Sequence, residues 1–183
     1  YSLCITDTKA SHADLTDDYA AIPAEMKEVA QYFNKEFLNE IPADDFYDKI
    51  PELYSAVSNR GLLRAIHFFG ENARVQNALK NNNFRQFLTL VKESGNSSYK
   101  YLQNIYSGKD YKNQPVSVAL AVSELVLKDN GVCRVHGGGF AGTIQAFVKN
   151  EYVSTYKEQM EKLLGENTCH VLKIRKYGGI KVL

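Results

Sequence analysis

Long apolar runs are missing from this chain: no stretch approaches the roughly 18 continuous apolar residues that a membrane-spanning helix needs. Nothing at its start reads as a secretory signal, which would run from basic to apolar to small residues. Cysteine is scarce. Cys4, Cys133 and Cys169 are too few and too scattered for a disulfide framework or a zinc site. Each falls in an apolar, strand-like run, where a free thiol behaves as a small buried hydrophobe, so a reducing, cytoplasmic setting is expected. Net charge is nearly absent as well: 22 Lys and Arg stand against 21 Asp and Glu, mixed along the chain. Without a basic stripe no nucleic-acid partner is expected, and without a long apolar stretch no membrane partner is expected either. No Gly-Lys-Ser/Thr sequence occurs, which excludes a Walker A loop, and the His-Arg-Asp and Asp-Phe-Gly elements of protein kinases are missing. No serine–histidine–acid set, paired-acid site or metal-ligand cluster is visible, so no catalytic or metal-binding residue is assigned.

What is present suits one sizeable domain, or a domain with a large insertion: 183 residues, 44% of them hydrophobic. The chain opens without methionine and runs straight into a strand, Ser2 to Thr8, which suggests a piece of a longer protein. Helix-start chemistry follows at Asp14 to Asp18, with helix through Phe33 and Pro23 in a first turn or at a kink. Pro42 and Pro51 bracket connectors around Phe46-Tyr47. A long helix is predicted from about Leu62 to Lys80, with Leu63, Ile66, Ala73, Val75 and Leu79 as its apolar positions. Asn81-Asn82-Asn83 breaks it. Helical periodicity resumes over Phe84 to Val91, and another helix covers about Ser98 to Tyr106. Pro115 opens a helix through Leu127. Then come a strand from Val132 to His136, a strand ending at Val148, an amphipathic helix from Asn150 to Leu164 closed by Gly165, and a strand from Cys169 to Arg175. The pattern is βαββαβ with extra helices. It predicts an α+β fold with a ferredoxin-like split β-α-β antiparallel sheet, helices on one face, and a helical insertion after the first strand. The insertion covers about 16–128; the hairpin, helix and last strand cover about 131–183.

The richest local feature is Val135-His136-Gly137-Gly138-Gly139-Phe140-Ala141-Gly142, four glycines in six positions between two strands. Such a bend can bring successive bare N–H groups against an anion such as phosphate. Gly137, Gly139 and Gly142 formally satisfy G-x-G-x-x-G, but strand rather than helix follows, so the dinucleotide-binding context fails. A tightly packed glycine-rich hairpin is the plain alternative.

With Arg134 before it, this run resembles the third motif of the GHMP small-molecule kinases in its galactokinase form, Gly-Gly-Gly-Phe-Gly-Gly, with Ala141 the one departure. Leu63 to His67, Gly70-Glu71-Asn72-Ala73-Arg74-Val75 and Glu93-Ser94 resemble the helical segment of that family. Thr6-Asp7-Thr8, His12 and Asp18-Tyr19 are similar to its strand and Ser-Glu-Tyr segment, and Cys169 to Arg175 with Gly178-Gly179 to its end. The resemblance covers nearly the whole chain but only the family's C-terminal lobe. It implies transfer of the γ-phosphate of MgATP to the C1 hydroxyl of galactose, with sugar motif, main ATP loop and catalytic base in an absent N-terminal lobe. Here Gly137, Gly138, Gly139, Phe140, Ala141 and Gly142 would line the phosphates, and Tyr19 would touch the sugar. ATP and Mg2+ would be held mainly by the other lobe, and the isolated chain would be inactive. A half-cleft would leave apolar surface that favours self-association. The family's arginines after the tyrosine are replaced by Ile22-Pro23-Ala24, and its Glu-Ser-His by Glu93-Ser94-Gly95. A non-catalytic sugar-sensing relative, or a GHMP kinase for another small alcohol or sugar, therefore stays open.

Plainer roles are expected elsewhere. Tyr19 is one of twelve tyrosines. His12 suits a strand-end or helix-start hydrogen bond, His67 and His170 structural places in helix and strand cores, and His136 orientation of the loop backbone. Arg134 suits a structural ion pair as well as a phosphate, and Glu71 and Arg74 pair on one helix.

Overall fold

Strand β1 (Ser2–Ala10) alternates in burial, with Cys4, Thr6 and Thr8 turned inward, as a period of two demands of a half-buried strand. The structure, a computed structural model, describes residues 1–80 and 83–173. β1 pairs with β3 (Gly142–Val148) and β4 (Cys169–Leu172), and β3 pairs with β2 (Gly131–Val135). The sheet is antiparallel, in the order β2-β3-β1-β4. The fold is thus the expected α+β arrangement around a small split β-α-β sheet. The predicted last strand ends early, at Leu172; Ile174, Arg175, Gly178 and Gly179 lie outside the described residues.

One face of the sheet is covered by α6 (Pro115–Leu127) and α7 (Val153–Leu164). Helix α6 buries Val116, Ala119, Ser123 and Leu127, a spacing that keeps one stripe inward. Tyr156 and Met160 do the same one turn apart on α7, and Gly165 ends that helix with a positive φ. Helices were expected on one face only, and the structure differs. Leu3, Val132 and Phe147 make the opposite face apolar at one end, and α5 (Phe84–Ser97) covers them with Phe87, Leu88 and Val91. Asn83 caps α5, its side chain accepting from the N–H groups of Arg85 and Gln86.

A second core lies between α1 (Thr16–Tyr32), α2 (Ala43–Asp48), α3 (Ile50–Ala56) and α4 (Asn59–Lys80). The segment around Phe46-Tyr47 is therefore two short helices rather than a plain connector. Phe46 is fully buried and stacks on Phe69 at 4.4 Å. The buried stripe of α4 is Leu62, Ala65 and Phe69. Of the apolar positions predicted for that helix, Ala73, Val75 and Leu79 are exposed, because the last turns of α4 run past this core.

Two further departures shape the site. Pro23 sits in the middle of α1, where it has no N–H to give to the Tyr19 carbonyl one turn earlier. The helix predicted from Ser98 to Tyr106 is one wide π turn, Ser98–Leu102, stopped by Gln103 at φ +57°. Arg64 reaches from α4 to cap that stop: its Nε donates to the Leu102 carbonyl at 3.2 Å. The chain then leads Asn104 under the glycine run.

Candidate functional site

The run 136–141 is the bend of the β2–β3 hairpin, and the register fixes its base: His136 N–H donates to the Thr143 carbonyl at 3.0 Å. His136 Nδ1 also lies 2.9 Å from the Thr143 hydroxyl, which is the orienting role expected of it. Gly137, Gly139 and Gly142 have φ of +69°, +79° and +81°, a region that favours glycine. Phe140 is left-handed too, at +58°, although it carries a side chain.

The loop divides into two halves. Gly137 and Gly138 are exposed, whereas Gly139, Phe140 and Ala141 are buried. Phe140 N–H donates to the Asn104 carbonyl at 2.5 Å and Ala141 N–H to the Gly139 carbonyl at 2.7 Å. Asn104 Nδ2 donates to the Gly138 carbonyl at 3.0 Å. Thr8 Oγ1 donates to the Gly142 carbonyl at 2.8 Å, brought there by an irregularity in β1 between Asp7 and Ala10. Leu15, Phe140 and Ala141 form a small apolar cluster, with Ala10, Tyr19 and Ile22 packed against it. Among the described residues the N–H groups of Gly137, Gly138 and Gly139 meet no backbone or side-chain acceptor.

Tyr19 comes from the first turn of α1 and lies against both halves. Its hydroxyl donates to the Gly139 carbonyl at 2.7 Å and sits 3.3 Å from His12 Nδ1. Its ring meets Phe140 edge-on at 5.3 Å. A Cβ at Gly138 would fall 3.0 Å from the Tyr19 ring. Burial pushes the Tyr19 phenol pKa up, so it stays a donor at neutral pH. The hydroxyl oxygen keeps acceptor capacity, and the residue is half-buried. The sequence offered Tyr19 only as a sugar contact implied by the resemblance, and His12 as a strand-end or helix-start hydrogen bond; the structure brings both side chains against the glycine loop.

Asn104 and Thr8 were missed. Asn104 fell inside a predicted helix and Thr8 inside a strand, and neither position carries a signal of its own. Arg134 points to the other side of β2. Its Nη1 donates to Ser94 Oγ at 2.6 Å and lies 3.6 Å from Glu71, while its Nε donates to the Val135 carbonyl at 3.1 Å. Ser94 in turn donates to Glu71 at 2.5 Å, and Arg74 pairs with Glu71 at 2.7 Å. This network ties α4, α5 and the strand entering the loop. His67 is buried with Nδ1 2.9 Å from Ser97 Oγ, and burial lowers its pKa. His170 was expected in a strand core; it is exposed at the sheet edge. The three cysteines are buried and free, as expected. Among the described residues no group of three His, Cys, Asp or Glu side chains could hold a metal, and no helix is long and apolar enough to cross a membrane.

No family model matches the chain. A galactokinase from Glaesserella parasuis serovar 5 (strain SH0165) is 29% identical over 170 residues, and one from Haemophilus influenzae (strain ATCC 51907 / DSM 11121 / KW20 / Rd) is 26% identical over 169. The chain is similar to the C-terminal part of galactokinases. These matches cover 91% of this chain and 41% of each galactokinase, so the chain spans about two fifths of the length of these curated relatives. Among solved structures, Lactococcus lactis galactokinase, complexed with galactose, superposes with a TM-score of 0.73 at 22% identity. That match covers 93% of this chain and 44% of the galactokinase chain, and it establishes the shared fold.

Proposed function

We propose that this chain is the C-terminal lobe of a galactokinase, residues 1–183 forming one such domain, and that the longer protein transfers the γ-phosphate of ATP to the C1 hydroxyl of galactose. The observation that carries the reading is the exposed first half of the glycine loop beside Tyr19, in a chain similar to galactokinases over nine-tenths of its length. Phosphoryl transfer needs positioning and donors for developing negative charge more than covalent chemistry. The N–H groups of Gly137 and Gly138, with Gly139 behind them, are suited to a phosphate oxygen, and the space beside Gly137 is open. Tyr19 holds Gly139 in place through its hydroxyl and offers a ring edge and an acceptor oxygen to a sugar. ATP fits this loop as a phosphate contact only. The metal and the catalytic base are assigned to the part of the galactokinase relatives that this chain does not cover. Partnership with that lobe, a cytoplasmic setting, and self-association of the isolated chain through uncovered apolar surface belong to the same proposal.

The test is turnover. The 183-residue chain with ATP, Mg2+ and galactose is expected to form no galactose 1-phosphate, while the longer protein containing it does. Turnover by the chain alone overturns the placement of the base. A longer protein inert toward every sugar tested favours the sugar-sensing reading instead.

A further inference from the structure

Behind the buried half of the glycine loop lies a cavity of about 260 Å³ that the phosphate reading does not use. Asp18 from α1, Arg60 and Arg64 from α4, and Tyr99, Gln103 and Tyr106 from the π turn and its exit line it, and Phe140 closes it toward the loop. We propose that this cavity binds a small neutral polyol of monosaccharide size, at a site separate from the Gly137–Tyr19 surface.

The charges argue for a neutral occupant. Glu25 accepts from both arginines: Arg60 through Nε and Nη2, Arg64 through Nη1 at 2.8 Å. Asp18 adds a second carboxylate, its Oδ2 receiving the Ser107 hydroxyl at 2.8 Å. Two guanidiniums and two carboxylates balance, and the Asp18 carboxylate in the wall opposes an anion. An apolar occupant fits no better, because it would leave polar groups without partners. Arg64 is 1% exposed, and among the described residues its bonds engage only two of the three guanidinium nitrogens. An amide, a carboxylate and two phenols complete a set of donors and acceptors at several angles, while the tyrosine and Phe140 rings offer faces for C–H groups. The volume lies below the roughly 300–1,000 Å³ of drug-sized pockets, which suits a ligand of about a dozen heavy atoms.

Backbone conformation points the same way. Gln103 and Phe140 are left-handed without being Gly, Asn or Asp, and both line this one cavity. Such conformations are costly for residues with a Cβ and collect at ligand sites, as do π turns inside helical segments. Because Phe140 also packs edge-on against Tyr19, an occupant here would press on the second half of the loop.

The test is a titration of the 15N-labelled 183-residue chain with galactose, glucose, myo-inositol and inorganic phosphate, each alone and without ATP. At least one polyol is expected to shift the amides of Gln103, Tyr106 and Phe140 saturably, and phosphate is not. Saturable shifts of those amides by phosphate only, polyol shifts confined to Gly137, Gly138 and Tyr19, or no saturable shift at all would each overturn the proposal. Tyr106→Phe and Gln103→Gly are each expected to weaken the polyol about fivefold, the worth of one hydrogen bond. Gln103→Gly should do so without lowering the melting temperature, since glycine relieves the left-handed strain. Unchanged affinity in Tyr106→Phe, which keeps the ring and the fold, counts against the site. Sugar turnover by the longer protein bears on the separate galactokinase reading and leaves this result standing either way.

Discussion

The two halves of the glycine loop use the same residue type for opposite ends. Gly139 is a glycine because another chain segment leaves no room: a Cβ there would sit 2.0 Å from the Asn104 carbonyl oxygen and 2.6 Å from its amide nitrogen. Gly137 has nothing within 4 Å of the corresponding point, and only its φ of +69° calls for glycine. The second half is a clamp, buried and bonded to Asn104 and Tyr19. The first half is an open turn presenting N–H groups. The rigid half can hold the open half in one shape, which is what a backbone ligand for phosphate requires.

The largest expected effect falls on the clamp. Gly139→Ala puts a methyl into a backbone carbonyl and adds left-handed strain, and should destabilise the chain by at least about 3 kcal/mol in urea unfolding. A loss under about 1 kcal/mol would show that the Asn104 segment yields and that the two halves do not differ in kind. Next comes the brace on β2. Burial pushes the Glu71 carboxyl up, but the Ser94 hydroxyl, Arg74 and Arg134 outweigh it and hold the pKa below the usual carboxylate range. As pH falls, the unfolded chain therefore takes up this proton first. The stability Glu71 contributes is present above its ordinary pKa and is lost as pH drops through the lower folded value. Glu71→Gln should cost about 2–3 kcal/mol at neutral pH and flatten the acid limb of a stability-against-pH curve. An acid limb of unchanged slope would remove Glu71 from the brace.

Asn104→Ala should cost less, about 1–2 kcal/mol. It removes the donor to the Gly138 carbonyl, but the backbone clamp to Phe140 N–H survives. The substitution also removes Asn104 Oδ1, which is buried without a partner among the described residues. Thermal unfolding checks this, and a loss as large as that of Gly139→Ala would move the weight of the clamp from backbone to side chain.

The sheet was legible because its strands are short alternating or apolar runs, with glycine-rich turn signals around the β2–β3 hairpin, and Pro115 and Gly165 punctuate their helices as chemistry requires. The exposed loop half was legible for the same reason. The clamp was not. The left-handed residue that ends this helix is Gln103 itself, neither a Gly nor an Asn, and tertiary bonds at Leu102 and Asn104 hold it there. The burial of α4 was misjudged because Ala73, Val75 and Leu79 keep a helical spacing beyond the end of the core they would pack on. The placing of α5 on the second sheet face depended on Leu3 and Phe147, which meet only when β1 and β3 pair.

The smallest stability effect, and the sharpest test of the open half, is Gly137→Ala. The added methyl meets nothing, so the loss should be only the left-handed penalty, about 1 kcal/mol. If the first half faces phosphate, the same methyl stands at the point of closest approach. Turnover of ATP by the longer protein should then fall by about tenfold or more, out of proportion to the stability lost. Gly138→Ala is the paired control: its φ is ordinary, and its methyl would press on the Tyr19 ring at 3.0 Å rather than on the open side. A longer protein in which Gly137→Ala leaves turnover unchanged while Gly138→Ala lowers it would place the functional contact at Tyr19 and make the whole glycine run a packing device.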